Sequence, residues 1–173
     1  MFNSTDNHDY IGNLELNNEQ AIEFNGAVSY KTKKLNIGLS GNVFRMPNYI
    51  IGEVEQGLST MTIGADGVKI YRNLDNATIS NVYFNTEYKI SKHLKWNGGI
   101  SYHRGIDSDS RNLPFISPVA YGGALNYQKG TFSAGIDMQG ATKQVNFNPI
   151  FGENQTDAYT VFGLSMGKTF HIS

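Results

Sequence analysis

The residues of this chain that could do chemistry are few and scattered. Met46, Met61, His8, His103 and Arg104 fall in or beside the long, turn-rich stretches, where an approaching ligand would meet them. Thioether and imidazole together suit copper, because soft and borderline donors favour that metal. Without the close spacing of a ligand set, however, five scattered residues read more readily as ordinary loop residues, and no metal centre is expected. Asp107-Ser108-Asp109 and Asp66-Gly67 offer carboxylates to calcium. That ion takes about six to eight oxygens, so a solvated acidic loop is the stronger reading. Cysteine is absent, which removes disulfides and thiolate metal sites. With no recognisable nucleophile and base pair and no glycine-rich phosphate loop, neither an enzyme nor a cofactor is expected.

The elements that must position these side chains follow from composition and periodicity. The 173 residues, 39% hydrophobic and 17% charged, amount to one domain without the charge excess of a disordered tail. A net charge of -1 and the lack of a dense Lys/Arg cluster give no footing for nucleic acid. Nineteen Gly, ten Tyr and ten Phe against four Pro favour strands joined by tight turns. No apolar run reaches the roughly 18 residues of a membrane helix, yet a membrane barrel needs none, since its strands are apolar only at alternate positions.

The period of two is clearest from Val119 to Ala141. Val119, Tyr121, Gly123, Leu125 and Tyr127 share one face, and Phe132, Ala134, Ile136 and Met138 continue it after the turn Gln128-Lys129-Gly130-Thr131. The same division predicts strands over Ala21 to Lys31, Leu35 to about Arg45, Ala77 to Ile90, Leu94 to His103 and Tyr159 to Phe170. Met1 to Gln20, polar and rich in Asn, reads as a loop without the basic start and apolar run of a secretory signal. Met46 to Asn76 reads as a long connection with possible short strand extensions at Tyr49 to Ile51 and Val68 to Tyr71.

Two regularities favour a membrane barrel. Connections alternate short and long, as when turns lie at one membrane surface and loops at the other. Tyr30, Tyr88, Trp96, Tyr127, Phe132 and Phe170 lie on the apolar face near short turns as one interfacial girdle, with Tyr102, Tyr121 and Tyr159 as candidates for the opposite one. The apolar rows are expected to carry no Asp, Glu, Arg or His and only Lys168, while Glu23, Glu87, Lys89, Lys95 and Asp137 face the lumen. A small complete outer-membrane barrel and a soluble lipocalin-like barrel remain open alternatives.

A series of landmarks carries a more specific likeness. Ile11-Gly12-Asn13-Leu14-Glu15-Leu16-Asn17-Asn18-Glu19, Asn48-Tyr49-Ile50-Ile51, Tyr71 to Ile79, Leu113-Pro114-Phe115-Ile116-Ser117-Pro118 and Gly152 to Tyr159 follow one another at intervals of one hairpin. In that order they resemble the late barrel strands of TonB-dependent outer-membrane receptors. The resemblance implies an all-β, antiparallel up-and-down transmembrane segment of about seven strands, against the roughly 22 that close around a plugged lumen in the family. Residues 1–173 are then one partial barrel domain, open rather than closed, with the plug domain and the final strands outside it and a turn to a further strand at His171-Ile172-Ser173. It further implies a Gram-negative outer membrane, contact with its lipid, coupling to the TonB complex through the plug, and a scarce nutrient such as a ferric siderophore or other metal complex as ligand. Met46, Met61, His103 and Arg104 are its candidate contacts on extracellular loops.

Overall fold

The computed structural model describes residues 2–3 and 6–170. The expected turn at His171-Ile172-Ser173 lies outside them. Among the described residues nine strands form one sheet: β1 (Phe2–Asn3), β2 (His8–Ile11), β3 (Ile22–Lys31), β4 (Leu35–Val54), β5 (Gly67–Lys89), β6 (Leu94–Asp107), β7 (Ala120–Lys129), β8 (Phe132–Ala141) and β9 (Tyr159–Lys168). From β3 to β9 each strand pairs antiparallel with the next. Among the described residues the sheet is open, because β3 bonds only to β4 and β9 only to β8. Beyond the strands, a 3-10 turn at Pro149–Phe151 lies in the β8–β9 loop.

The short turns are closed locally. The Thr32 hydroxyl accepts from Leu35 N and the Ser91 hydroxyl from Leu94 N, while Gly130, at φ +59°, supplies the left-handed residue that the β7–β8 hairpin needs. The loop end differs from expectation. β4 runs for 20 residues and β5 for 23, about twice the 9–11 that cross a bilayer. The stretches anticipated as extensions within the connection Met46 to Asn76 are continuous with the wall strands, since Tyr49–Val54 pairs with Lys69–Leu74 in unbroken register. Residues 2–3 and 6–21 are not a free loop either. β2 adds in parallel to the edge of β5 that β6 leaves vacant beyond Asp107. The chain then crosses to β3, tied by Asn13 to the Tyr71 carbonyl and by Asn17 N to the Asn73 side chain.

Register places one set of side chains outward in rows. Val28, Leu39, Phe84, Ile100 and Tyr121 lie side by side across β3–β7, and Leu35, Tyr88, Trp96, Leu125, Ile136 and Leu164 form a row nearer the turns. These side chains do not meet in a dry interior. Phe24 is 77% exposed, Ile100 52% and Leu164 84%. The opposite rows are mostly polar or small, as in Asn25–Asn42–Asn81–His103, with Phe44 and Ile79 side by side on the inner face nearer the loop end. A Cβ at Gly123 would stand 2.5 Å from the Trp96 ring and one at Gly98 2.9 Å, so the indole lies over bare backbone. Two expectations about these rows fail. Because β4 and β6 continue beyond the oily stretch, Arg45 and Arg104 fall on the outward rows that were to hold no arginine. Tyr159 pairs with Ala141 on the inner side and leaves the second girdle to Tyr102 and Tyr121.

The buried core is not in the wall. Among the described residues its apolar members are Ile51, Val68, Ala77, Leu113, Ala141 and Phe151, all at the loop end. There the long strands, β2 and the loops 108–119 and 142–158 pack into a cap.

Candidate ligand-facing wall and loop cap

Inner-face alternation brings four side chains from four strands into one hydrogen-bonded line. Asn42 Nδ2 donates to Glu23 Oε1 at 3.1 Å, Asn81 Nδ2 donates to Asn42 Oδ1 at 2.8 Å, and Asn81 Oδ1 lies 2.7 Å from His103 Nδ1. Since an amide oxygen only accepts, His103 Nδ1 is the donor of this contact, and Nε2 is the ring nitrogen left for a further partner. Tyr83 meets the imidazole edge-on with centroids 5.4 Å apart. The result is a fixed polar strip below the cap, able to hydrogen-bond a polar ligand passing along the wall. Alternation already placed each of these residues on the polar side, but only register shows that they share a line.

The cap is held by buried charge. Lys69, fully buried, places Nζ 2.7 Å from Asp6 Oδ2 and lies 5.7 Å from the ring centroids of both Tyr10 and Phe115. Tyr10 donates its hydroxyl to the same Asp6 oxygen, and His8 Nδ1 lies against the Asp6 carbonyl. Burial alone would raise the Asp6 carboxyl, but the hydrogen bonds from Lys69 and Tyr10 outweigh it and hold the group below the ordinary carboxylate range. Burial and the Asp6 carboxylate both push the Tyr10 phenol up. Asp9 is held low by bonds from Thr62 N, the Thr62 hydroxyl and Met61 N, which staple the loop 55–66 to β2.

A pH dependence follows. Both carboxyls have folded-state values below their unfolded ones, so their contribution is whole at neutrality and is lost as pH falls from about 4 through the depressed values. Amides of β2 and of loop 55–66 are expected to lose hydrogen-exchange protection below about pH 4, while those of β7 and β8 keep theirs.

The structure separates the residues singled out from sequence. Only Met61 lies on a loop, 88% exposed. Met46 is within β4 opposite Ala77, His8 within β2, and His103 and Arg104 within β6. Met46 and His103 share the inner face, yet register sets their Cα atoms about 17 Å apart, too far to share a ligand atom. Arg104 is on the outward face and cannot line the lumen. The Asp107 carboxylate receives Asp109 N, Arg111 N and Arg111 Nε, the last at 2.6 Å, so this acidic stretch is an ion-paired turn. Among the described residues no three His, Asp or Glu side chains gather where a metal could be held.

The turn end is basic. Lys31, Lys33, Lys34, Lys89, Lys92 and Lys95 lie in or beside the first two turns, and Lys129 and Lys168 flank Phe132. On the inner side Lys89 stands directly opposite Lys95, an unfavourable pairing of like charges, beside a cleft of about 530 Å³ that Glu87, Lys92, His93 and Asn126 also line.

No family model matches the chain, and no curated protein does. Solved structures do. The copper transporter OprC superposes with a TM-score of 0.79 at 21% identity over 91% of this chain and 24% of its own. The siderophore receptor PirA from Acinetobacter baumannii gives 0.65 at 12% identity over 94% of this chain and 27% of its own. The FrpB iron transporter from Neisseria meningitidis gives 0.63 at 10% identity over 94% and 26%. The chain therefore spans about a quarter of the length of these TonB-dependent receptors and has the fold of an open section of their barrels.

Proposed function

We propose that this chain is barrel wall and outer loops of a TonB-dependent receptor in a Gram-negative outer membrane, serving energy-coupled uptake of a metal complex. The observation that carries the reading is the outward exposure of whole apolar rows, Phe24 to Ile100 to Leu164, opposite polar inner rows. A water-soluble barrel would hide the first set, whereas lipid rewards it. The fold likeness to copper and siderophore transporters supports the choice of cargo class. Work would reach the barrel through a plug in contact with TonB, and the lumen-side cations Lys31, Lys89 and Lys95 would meet acidic groups of whatever fills it.

Within this assignment the Glu23–Asn42–Asn81–His103 line is the ligand-facing strip, with neutral amides and an imidazole edge suited to the polar rim of a chelate. The candidate contacts narrow to His103, with Met46 and Met61 higher on the path. Trp96, the single tryptophan of the chain, tests the membrane assignment directly. In bilayers of lipids brominated at graded depths, its fluorescence is expected to be quenched most by bromines near the headgroups, as for an interfacial ring. Indifference to lipid-borne bromine would sink the assignment. For the cargo, binding of radiolabelled ferric-siderophore and copper complexes is expected to weaken roughly tenfold in His103→Ala, the loss of one or two hydrogen bonds; unchanged binding of every complex removes the strip from the path.

A further inference from the structure

Arg45 and Arg104 are cations on the lipid-facing side, and neither is ion-paired among the described residues. They flank β5 in adjacent outward rows, Arg45–Thr78–Ile106 and Val43–Ser80–Arg104, with the Thr78 and Ser80 hydroxyls between them. Two strand spacings and a two-residue offset separate their Cα atoms by about 12 Å, within reach of two arginine side chains converging on one group. Asn76 Oδ1 accepts from Arg45 Nε at 3.4 Å. Arg104 Nη1 is shielded from solvent by the chain and has no hydrogen-bond partner among the described residues, so in this position the side chain forfeits a donor that turning outward to an acceptor at the surface would recover.

Height identifies the partner. From Tyr88 in the turn-side girdle to Ser80 and Thr78 is eight to ten residues, or roughly 21–26 Å along the membrane normal at a 40° tilt, against an apolar band about 25 Å tall. The patch thus lies where the headgroups of the outer leaflet lie, above the oily rows and facing away from the lumen.

We infer that Arg45, Thr78, Ser80 and Arg104 form a binding site for the phosphate of a phosphorylated glycolipid in the outer leaflet. Guanidinium groups pair with phosphate by charge-assisted, bidentate hydrogen bonds, and the hydroxyls between them supply further donors. The acyl chains of the same lipid descend over Val82 and Tyr102 in the row below, both of them exposed. This site rests on the membrane assignment above and has nothing to do with the transported ligand.

Native mass spectrometry in mild detergent, with bisphosphorylated lipid A added, tests it. The unaltered protein is expected to retain the lipid and the doubly substituted Arg45→Gln/Arg104→Gln protein to bind it at least tenfold more weakly, through lost charge-assisted bonds. Lipid A stripped of its phosphates is expected not to be retained by the unaltered protein. Equal retention by both proteins, or equal retention of the stripped lipid, overturns the site. Inorganic phosphate displacing the lipid at equal concentration would make it a free-phosphate site and overturn the lipid assignment. Trp96 quenching in the same preparations keeps the two hypotheses apart: quenching without a lipid A difference refutes only this site, and absence of quenching refutes the membrane assignment beneath it.

Discussion

Replacing Phe84 with arginine is expected to destabilise the membrane-inserted protein by about 2–4 kcal/mol, the cost of a cation near the bilayer midplane. Phe84 stands between Leu39 and Ile100, about midway from the Tyr88–Trp96 girdle to the Thr78 row, and is 40% exposed on the outward face. The same substitution one residue earlier, at Tyr83, places the guanidinium on the inner face beside His103. There it forfeits one edge-on aromatic contact and is expected to cost no more than about 1.5 kcal/mol. Guanidinium unfolding in bilayers, followed by Trp96 emission, measures both. The contrast matters more than either value. Were the outward rows of this sheet in water rather than lipid, Phe84→Arg would cost little and the order would reverse, so equal or inverted costs would refute their lipid exposure.

That orientation was legible in the sequence because a strand's period is local. Tyr30, Leu39, Phe84, Ile100 and Leu125 alternate with small or polar neighbours whatever lies across the sheet, and a one-residue slip would carry them all to the wrong face. The strand ends were less legible. Beyond Arg45 and His103 the oily alternation stops, as the proposed membrane placement requires of strands that rise above the lipid, and Pro47, Gly52 and Gly67 imitate a loop. Pairing between β4 and β5 nevertheless continues to Val54, since each supplies the other's backbone partners. The same shortening hid Arg104 among supposed loop residues and kept Arg45 off the outward rows. The cap was invisible for a different reason. Asp6 and Lys69 are 63 positions apart, and nothing local marks either as a core residue; their burial arises from β2 joining β5 in parallel, a long-range event.

The ion pair inside that cap should be its most sensitive point. Lys69 is 1% exposed at its side chain and Asp6 6%, so neither charge has water to fall back on. Replacing Lys69 with methionine keeps most of the volume between Tyr10 and Phe115 but leaves Asp6 without its counter-ion, and breaking such a pair costs about 3–5 kcal/mol. The loss is expected to be local. The wall strands are held by ladders that Lys69 does not join beyond its own pairings with Val54 and Tyr10, so hydrogen exchange should accelerate in residues 7–11, 52–55 and 67–71 and stay unchanged in β7 and β8. Pairing Lys69→Met with Asp6→Asn removes both charges together and is expected to recover a large part of the loss, since a neutral amide can still accept from Tyr10. Were the single lysine substitution to leave exchange in β2 untouched, the cap would owe its closure to the apolar contacts of Leu113 and Phe151, with the buried charges merely tolerated.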